Sequence, residues 1–527
     1  MANKFTEEQN QFVVDLVESG TSITWAAQKM CEQFNIPYKE STGRNFRAKL
    51  QRKGLTNNLP SVEDTDAFKE AQNKAHSKHK KRFLISWCQS DTKVHEKFLN
   101  NMEAYAEYID AEILIVAGRY RSPHSLSGSK KLQKAEKIKS QHWDERVLPY
   151  LDANRHNLHE HLQLLSDVKI QPTAATPLSG MNSITGLESC IIGHPRMHLA
   201  SLPIADGYPH KLLLTTGACS VENYTDSKAG KKGEFNHVLG CVIVELDGKD
   251  FHVRQICADK NGDFYDLTFC VSNATVSECG NSIPAMIFGD LHLLHHNETA
   301  VKVSLEIARK LKAERVFLHD LVDGMSISHH ERRNPFILLD REEDGSWSLQ
   351  KELDYVVDWC NENSDLNFIS VYSNHNDFID RWVINEDWRK TTNKKLFLEF
   401  ANAMARKEVP KGIVNYVLSG RTKNVQGLAL DESYSVMGFE CGSHGHVGVS
   451  GSRASVVQLK NLPMKTITGH THTSRREDGH LCVGTLTNLR VGYNKGFSSW
   501  LHSNVVIYPN GKASHINIIN GKYTTLI

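Results

Sequence analysis

Between Pro284 and His472, five short apolar runs each stop at a cluster of Asp, Asn or His. Pro284–Phe288 reads as a buried strand and gives way to Gly289-Asp290-Leu291-His292. A helix over Glu298–Lys312 leads into a strand over Arg315–Leu318, which ends at His319-Asp320-Leu321-Val322-Asp323-Gly324. A variable insert and a helix over Leu353–Asn361 precede a strand over Phe368–Tyr372, ending at Ser373-Asn374-His375-Asn376-Asp377. A strand over Tyr434–Phe439 leads to Gly442-Ser443-His444-Gly445-His446, and one over Lys465–Thr468 to Gly469-His470-Thr471-His472. Parallel strands covered on both faces must be apolar throughout, and α/β sheets gather ligands at the carboxyl ends of their strands. An α/β fold that delivers one polar cluster per strand end is the expectation.

The chemistry of those clusters is specific as a set. Carboxylate, amide oxygen and imidazole together suit borderline divalent metals such as Mn, Fe or Zn. A carboxylate has two oxygens, so an aspartate can bridge two cations. Two metals about 3.5–4 Å apart clamp the attacking and leaving oxygens of a phosphoryl displacement, and a water between them is acidified toward a pKa of about 7.

The order D-x-H, D-x-x-D, N-H, H and G-H-x-H resembles the calcineurin-like metallophosphoesterases, which include the nucleases of double-strand-break repair. The resemblance covers about 283–527. It implies a β-sandwich flanked by helices and two divalent ions, Mn2+ first, with Fe, Zn or Mg as alternatives. Asp290, His292 and His472 would hold one metal and Asp320 would bridge. Asn374, His444 and His470 would hold the other, and His375 would face the phosphate as general acid or charge stabiliser. Three departures stand out. The usual glycine before the second-motif aspartate is His319. The acid that usually orients the catalytic histidine is displaced by one residue, to Asp377. His444 and His446 compete for the fourth motif, and His444 is favoured because it comes first after the strand. Asp323 reads as a supporting or capping residue, and His319 as either support or ligand. A catalytically dead scaffold would have lost ligands, and none is lost.

The chain before this region divides by composition. Residues 1–57 read as a small helical module, with Phe5, Phe12, Val13, Leu16 and Val17 at helical spacing and a second helix over Thr24–Phe34. A third, over Thr42–Lys53, carries Arg44, Arg47, Lys49, Arg52 and Lys53. Three helices with a basic last one resemble a helix-turn-helix, which makes those five residues the candidate DNA contacts. The bland alternative is a bundle with a solvated basic face. Residues 58–81 read as a polar linker. Residues 82–282 read as an α/β middle domain of unassigned role. It opens with a strand (Phe83–Cys88), a helix (His95–Tyr108) and a strand (Glu112–Ala117), a parallel start. Strands follow over Leu212–Thr215, Leu239–Leu246 and Phe251–Ala258, with a loop over Asn223–Gly233. Basic clusters at Arg119-Tyr120-Arg121 and at Lys228, Lys231 and Lys232 read first as surface turns. His159-Glu160-His161 is discarded as a metal pair, because it lies in a Leu-rich stretch read as helical, where i and i+2 face apart.

Composition excludes several classes. At 527 residues the chain exceeds one ordinary core. A formal net charge of +1 leaves no global field toward nucleic acid or membrane. The 11 cysteines include no C-x-x-C pair, which favours reduced thiols over disulfides or a Cys zinc site. No apolar run reaches the roughly 18 residues of a membrane span, and the polar N-terminus lacks an apolar signal core. The expectation is a cytoplasmic protein. The whole-chain order, with Tyr208-Pro209 and the loop Tyr224-Thr225-Asp226-Ser227-Lys228-Ala229-Gly230, resembles the T5-type phage early proteins that act in host DNA degradation and first-step DNA transfer. That resemblance implies a metal-dependent DNase, a phosphoric diester hydrolase, in the host cytoplasm. DNA and other phage early proteins would be its partners, and related nucleases imply a homo-oligomer. Arg332, Arg333, Arg475 and Arg476 lie near motif loops and could hold a DNA backbone or simply be solvated. The rival readings are a phosphomonoesterase or protein phosphatase, and a non-catalytic DNA-binding regulator on a phosphoesterase scaffold.

Overall fold

The apolar runs of the C-terminal half become short strands whose residues are mostly buried. The structure, a computed structural model, describes residues 5–18, 23–39, 42, 45–46, 66–77, 79–120, 143–280, 282–328, 334–344, 347–452, 459, 462–491 and 494–526. The architecture is mixed α/β, as expected. Packing divides the chain into two units. One comprises Met1–Met197, Leu213–Phe264 and Val271–Val276, the other His198–Leu212, Tyr265–Cys270 and Ser277–Ile527.

In the first unit, helices α1 (Glu7–Glu18) and α2 (Ile23–Gln33) bury Val13, Val17, Ala26 and Met30 in a cluster with Phe46. The candidate DNA contacts Arg44, Arg47, Lys49, Arg52 and Lys53 lie outside the described residues, as does most of the expected third helix. The strand–helix–strand start is present. Strand β1 (Arg82–Gln89) runs parallel to β2 (Glu112–Gly118), with Phe83 opposite Glu112. Helix α3 (Glu96–Tyr108) connects them, its first turn capped by His95, whose Nδ1 accepts from the Phe98 N–H at 3.2 Å. The apolar runs that follow are strands β3 (Gly240–Asp247) and β4 (Asp250–Cys257), which pair antiparallel and extend the sheet in the order β4-β3-β1-β2.

Two local expectations for this unit are corrected. The segment expected as a loop over Asn223–Gly233 carries helix α4 (Lys228–Phe235), capped by Ser227, whose hydroxyl accepts from the Gly230 N–H at 3.1 Å. Its glycines disguised it. A Cβ at Gly230 would lie 2.0 Å from the Thr225 carbonyl oxygen, so only glycine lets the helix pack there. The stretch around His159-Glu160-His161 is not helical. Arg155–His159 and Leu162–Leu165 are antiparallel strands with an irregularity between Asn157 and His159. Burial alternates along the first, with His156 and Leu158 turned in and Arg155 and Asn157 exposed. Among the described residues the His159/His161 pair forms no group able to hold a metal.

The second unit holds the five strand ends. Its first sheet contains β5 (Ala285–Ile287), β6 (Val316–Leu318), β7 (Phe368–Ser370), β8 (Val425–Gly427), and the later antiparallel pair Ser503–Ile507 and Ala513–Asn517. β5, β6, β7 and β8 are parallel neighbours in that order. Helices α5 (Glu298–Lys310), α6 (Leu349–Glu362), α7 (Asn374–Asn385), α8 (Lys394–Ala405) and α9 (Ile413–Arg421) pack over one face, against Met286, Leu318 and Phe368. The other face carries Ile287, Phe317 and Ile369 and packs against a second sheet through Phe439, Ile467 and Leu481. Successive residues of a strand point to opposite faces, so a strand between helices and a second sheet is buried on both, as Met286 and Ile287 of β5 are.

The second sheet contains β9 (Ser435–Val436), β10 (Phe439–Glu440), β11 (Lys465–Thr468), β12 (Arg475–Glu477) and β13 (His480–Cys482), in the order β9-β10-β11-β13-β12. The run Tyr434–Phe439, expected as one strand, is a hairpin. Met437 and Gly438 take φ of 48° and 83°, a left-handed pair that folds Phe439 back on Val436.

Candidate metal centre

The carboxyl ends of β5, β6, β7 and β11 and the loop after β10 converge on one buried point. The chain turns sharply at each. His292, Asp320, His470 and His472 have φ of 44°, 44°, 74° and 56°. Left-handed backbone at a non-glycine residue costs of order 1–3 kcal/mol and persists where the surroundings fix it, typically at functional sites. Asn374 and His375 instead sit on the first turn of α7. Ser373 caps that helix, its hydroxyl accepting from the Asn376 N–H at 3.3 Å.

Two donor sets result, meeting at Asp320. In the first, Nε2 of His292 lies 3.2 Å from Nε2 of His472 and 3.4 Å from Oδ2 of Asp320. Nε2 of His472 lies 3.1 Å from Oδ2 of Asp290. In the second, Nε2 of His444 lies 3.2 Å from Oδ2 of Asp320 and 3.0 Å from Oδ1 of Asn374. Nδ1 of His470 lies 3.1 Å from the same Asn374 oxygen. These separations are those of atoms able to share one small ion. Asp290, His292, Asp320 and His472 form a wholly buried group that could hold a metal.

The donor atoms also fit a cation by what they lack. Oδ1 of Asp290, Oδ1 of Asp320 and Nδ1 of His472 are buried without a hydrogen-bond partner. A buried carboxylate oxygen left unpaired is costly, and ligation by a divalent ion is one of the few arrangements that satisfies it. The protonation equilibria agree. Burial pushes the Asp320 carboxyl up, but the imidazoles of His444, His375 and His292 outweigh it and hold it well below the carboxylate range. Burial likewise opposes charge on His292, yet the carboxylates of Asp320 and Asp323 pull it up to about 10. Such a set exchanges protons for a divalent ion on binding.

A comparison with known proteins decides the kinship. Over 476 residues this chain is 31% identical to Protein A1 of Escherichia phage T5, an alignment that covers 85% of this chain and 83% of that protein. The chain belongs to the T5 Protein A1 family. No family model matches it. No solved structure matches it.

In this member of the Protein A1 family the surrounding residues complete the site. Asp323 serves two histidines. Its Oδ1 lies 2.9 Å from Nδ1 of His292, and its backbone carbonyl accepts from Nδ1 of His375 at 2.5 Å. The displaced acid Asp377 pairs instead with Arg381 at 3.3 Å. Orientation of His375 therefore comes from the loop after β6. Glu352 of α6, which no motif pointed to, holds that loop. Its Oε1 accepts from the Gly324 N–H and its Oε2 from the Ser326 hydroxyl at 2.8 Å. Thr485 donates its hydroxyl to the Asp290 carbonyl at 2.9 Å. Neither residue could be found from local pattern, because each reaches the site from a distant part of the chain.

The remaining candidates fall into place around these. His446 lies beside the second set, its ring centroid 5.4 Å from that of His444, and its Nδ1 is buried without a partner. Burial pushes it down to about 4. His319 is fully buried with its Nδ1 3.2 Å from Nδ1 of His444. The two arginines on β12 have partners within the chain. Arg475 pairs with Glu477. Arg476 is buried and donates to the Ala513 and Asp478 carbonyls, so it braces the strand. Arg332 and Arg333 lie outside the described residues. In the first unit, Tyr120 is buried and Lys231 pairs with Glu234 at 2.8 Å, while Arg121 lies outside the described residues.

Proposed function

We propose that this protein is a two-metal-dependent DNA phosphodiesterase that degrades host DNA early in phage infection. The observation that carries the reading is the pair of Asp, Asn and His donor sets that meet at Asp320, the first wholly buried and the second half-buried at Asn374 and His470, with carboxylate oxygens left over for ions. Kinship with a phage protein supports the setting. In this reading residues 283–527 are a calcineurin-like catalytic domain, 82–282 a middle domain, 58–81 a linker and 1–57 a helix-turn-helix-like DNA-contacting module. The enzyme works in the host cytoplasm as a homo-oligomer.

Asp290, His292 and His472 would hold one cation, Asn374, His444 and His470 the other, with Asp320 between. When bound, two divalent ions, Mn2+ first by the donor chemistry, supply charge neutralisation for phosphoryl displacement and a nucleophile at neutral pH. The chain's residues do the rest. Asp323 holds the ring of His375 through Nδ1, which leaves Nε2 as the nitrogen for the phosphate. His375 then gives a proton to the leaving oxygen or stabilises its charge. Burial of Asp290 and Asp320 keeps competing water from their carboxylates.

The test is cleavage of linear and closed-circular duplex DNA by the purified full chain with Mn2+, with EDTA, and by His375→Ala with Mn2+. Loss of cleavage with EDTA and in the variant is expected, and nicking of the circle would assign endonuclease action. A folded sample that binds Mn2+ but hydrolyses a monoester and no DNA would replace this reading with that of a phosphatase.

A further inference from the structure

His319 stands where the metallophosphoesterase pattern carries a glycine, and the structure gives it a specific neighbour. The residue follows β6 directly and precedes Asp320. Its backbone carbonyl accepts from the Leu291 N–H at 3.0 Å, which ties it to the end of β5. Its side chain is wholly buried. On one side its Nδ1 lies 3.2 Å from Nδ1 of His444. On the other its ring meets the strand end that carries His470. A Cβ on Gly469 would approach the His319 ring to 3.0 Å and Oδ1 of Asp290 to 2.2 Å.

The two nitrogens of His444 face different things. Nε2 faces Asp320 and Asn374 at 3.2 and 3.0 Å. If Nε2 is the coordinating atom, it carries a lone pair, and the proton of the neutral ring sits on Nδ1. That N–H then needs an acceptor, and Nδ1 of His319 is the atom facing it. A metal-bound histidine usually gives this proton to a carboxylate, a carbonyl or water, and the acceptor fixes both tautomer and ring orientation. Here a second buried imidazole occupies that place. His319 must accept at Nδ1 and carry its own proton on Nε2, and Nε2 is a buried atom without a hydrogen-bond partner. A leucine would fill much of the same space without burying an unpaired nitrogen. Packing alone therefore does not account for an imidazole here.

We propose that His319 is a positioning residue for the second metal position, accepting the Nδ1 proton of His444 and so aiming His444 Nε2 at the ion shared with Asp320 and Asn374. The proposal rests on the metal reading above and gives His319 a role exerted through His444; the alternative, that Asp290, His319 and His444 share an ion directly, would show as a His319→Asn variant as weak as His319→Leu.

The test is a Mn2+ titration of the purified full chain, metal-free at the start, followed by calorimetry and by the electron paramagnetic resonance of free Mn2+. It compares the unaltered protein with His319→Leu, which keeps bulk and removes the acceptor, and with His319→Asn, whose amide oxygen can stand near the place of Nδ1. The unaltered protein should bind two ions. His319→Leu should weaken one of the two by about 10–100-fold and leave the other unchanged. His319→Asn should recover most of that loss. Should the leucine variant fail to fold, His319→Ala carries the same expectation. Two ions bound by His319→Leu with unaltered affinity would overturn the proposal and leave the metal reading standing, as would an asparagine variant as weak as the leucine one. An unaltered protein that binds no Mn2+ would remove both.

Discussion

The carboxylate of Asp323 lies 2.9 Å from Nδ1 of His292 and so fixes which nitrogen of that histidine turns toward Asp320 and His472. The residue sits three positions after Asp320, on the loop that follows β6, outside the two ion positions proposed above, and with His292 and His375 it forms a further group whose atoms could share an ion. Burial works against its charge, but the hydrogen bond and charge of His292 hold it down to about 2. It therefore stays an acceptor throughout the neutral range.

Removing that acceptor should free the His292 ring to flip and weaken the first ion position. We expect Asp323→Ala to lower Mn2+ affinity by about 10–100-fold, with Asp323→Asn less affected because its amide oxygen still accepts. Because the Asp323 backbone carbonyl also holds His375, either variant keeps that second contact. Calorimetric titration checks the first effect, and equal affinities in all three proteins would remove Asp323 from the site.

Loss of the His375 imidazole is a different kind of change. His375 stands outside the two ion positions proposed above, and its ring meets His292 alone among their ligands, so Asp290, Asp320 and Asn374 keep their geometry. His375→Ala should bind Mn2+ as the unaltered protein does and lower kcat by about 10²–10⁴-fold, the usual contribution of a positioned acid. Single-turnover cleavage beside the binding titration separates the two, and a variant with full kcat would assign the proton to another group.

Gly469 offers a test of how tightly the strand ends meet. A Cβ there would lie 2.2 Å from Oδ1 of Asp290, far inside contact distance. Gly469→Ala should push the Asp290 carboxylate out of place and abolish binding of at least one ion, at a stability cost of about 1–3 kcal/mol from overpacking. Unchanged Mn2+ binding would show that the Asp290 carboxylate can move aside freely.

How much of this was legible in the sequence follows from the distance over which each feature is determined. Strands β5 and β6 could be read because burial on both faces leaves no polar position, as in Met286-Ile287-Phe288. The donors could be read because each lies within a few residues of a strand end. The structure brings Asp290, His292, Asp320, Asn374, His444, His470 and His472 together, with His375 beside them. What stayed hidden was set by distant partners. Glu352 looks like any acid near the start of a helix until its contact with the Gly324 loop is seen. Arg476 looks like a surface cation on a polar strand until the Ala513 carbonyl is found against it. Glycines misled in both directions. Gly230 and Gly233 concealed helix α4 because they sit where it packs closely on Thr225 and Tyr224, and Gly438 hid the turn between β9 and β10.

His515, on the strand Ala513–Asn517, gives the second unit a pH dependence away from the candidate metal centre. It is buried, and its Nε2 reaches the Cys482 carbonyl at 2.9 Å. Burial, the larger cause, pushes its pKa from 6.5 down to about 4, against the pull of that carbonyl and with help from Arg476. In the unfolded chain the same ring titrates near 6.5. Between those values the unfolded state binds a proton that the folded state refuses. The stability this histidine contributes is therefore fully present above pH 6.5 and is lost as pH falls toward 4. At pH 4.5 the loss should be about 2–3 kcal/mol. His515→Gln can still donate to the Cys482 carbonyl but does not titrate. Its stability should fall less between pH 7.5 and pH 4.5, by about that amount, even if repacking lowers both values. Thermal unfolding at the two pH values checks it, and parallel declines in the two proteins would show that His515 is protonated in the folded state or that other groups set the acid limb.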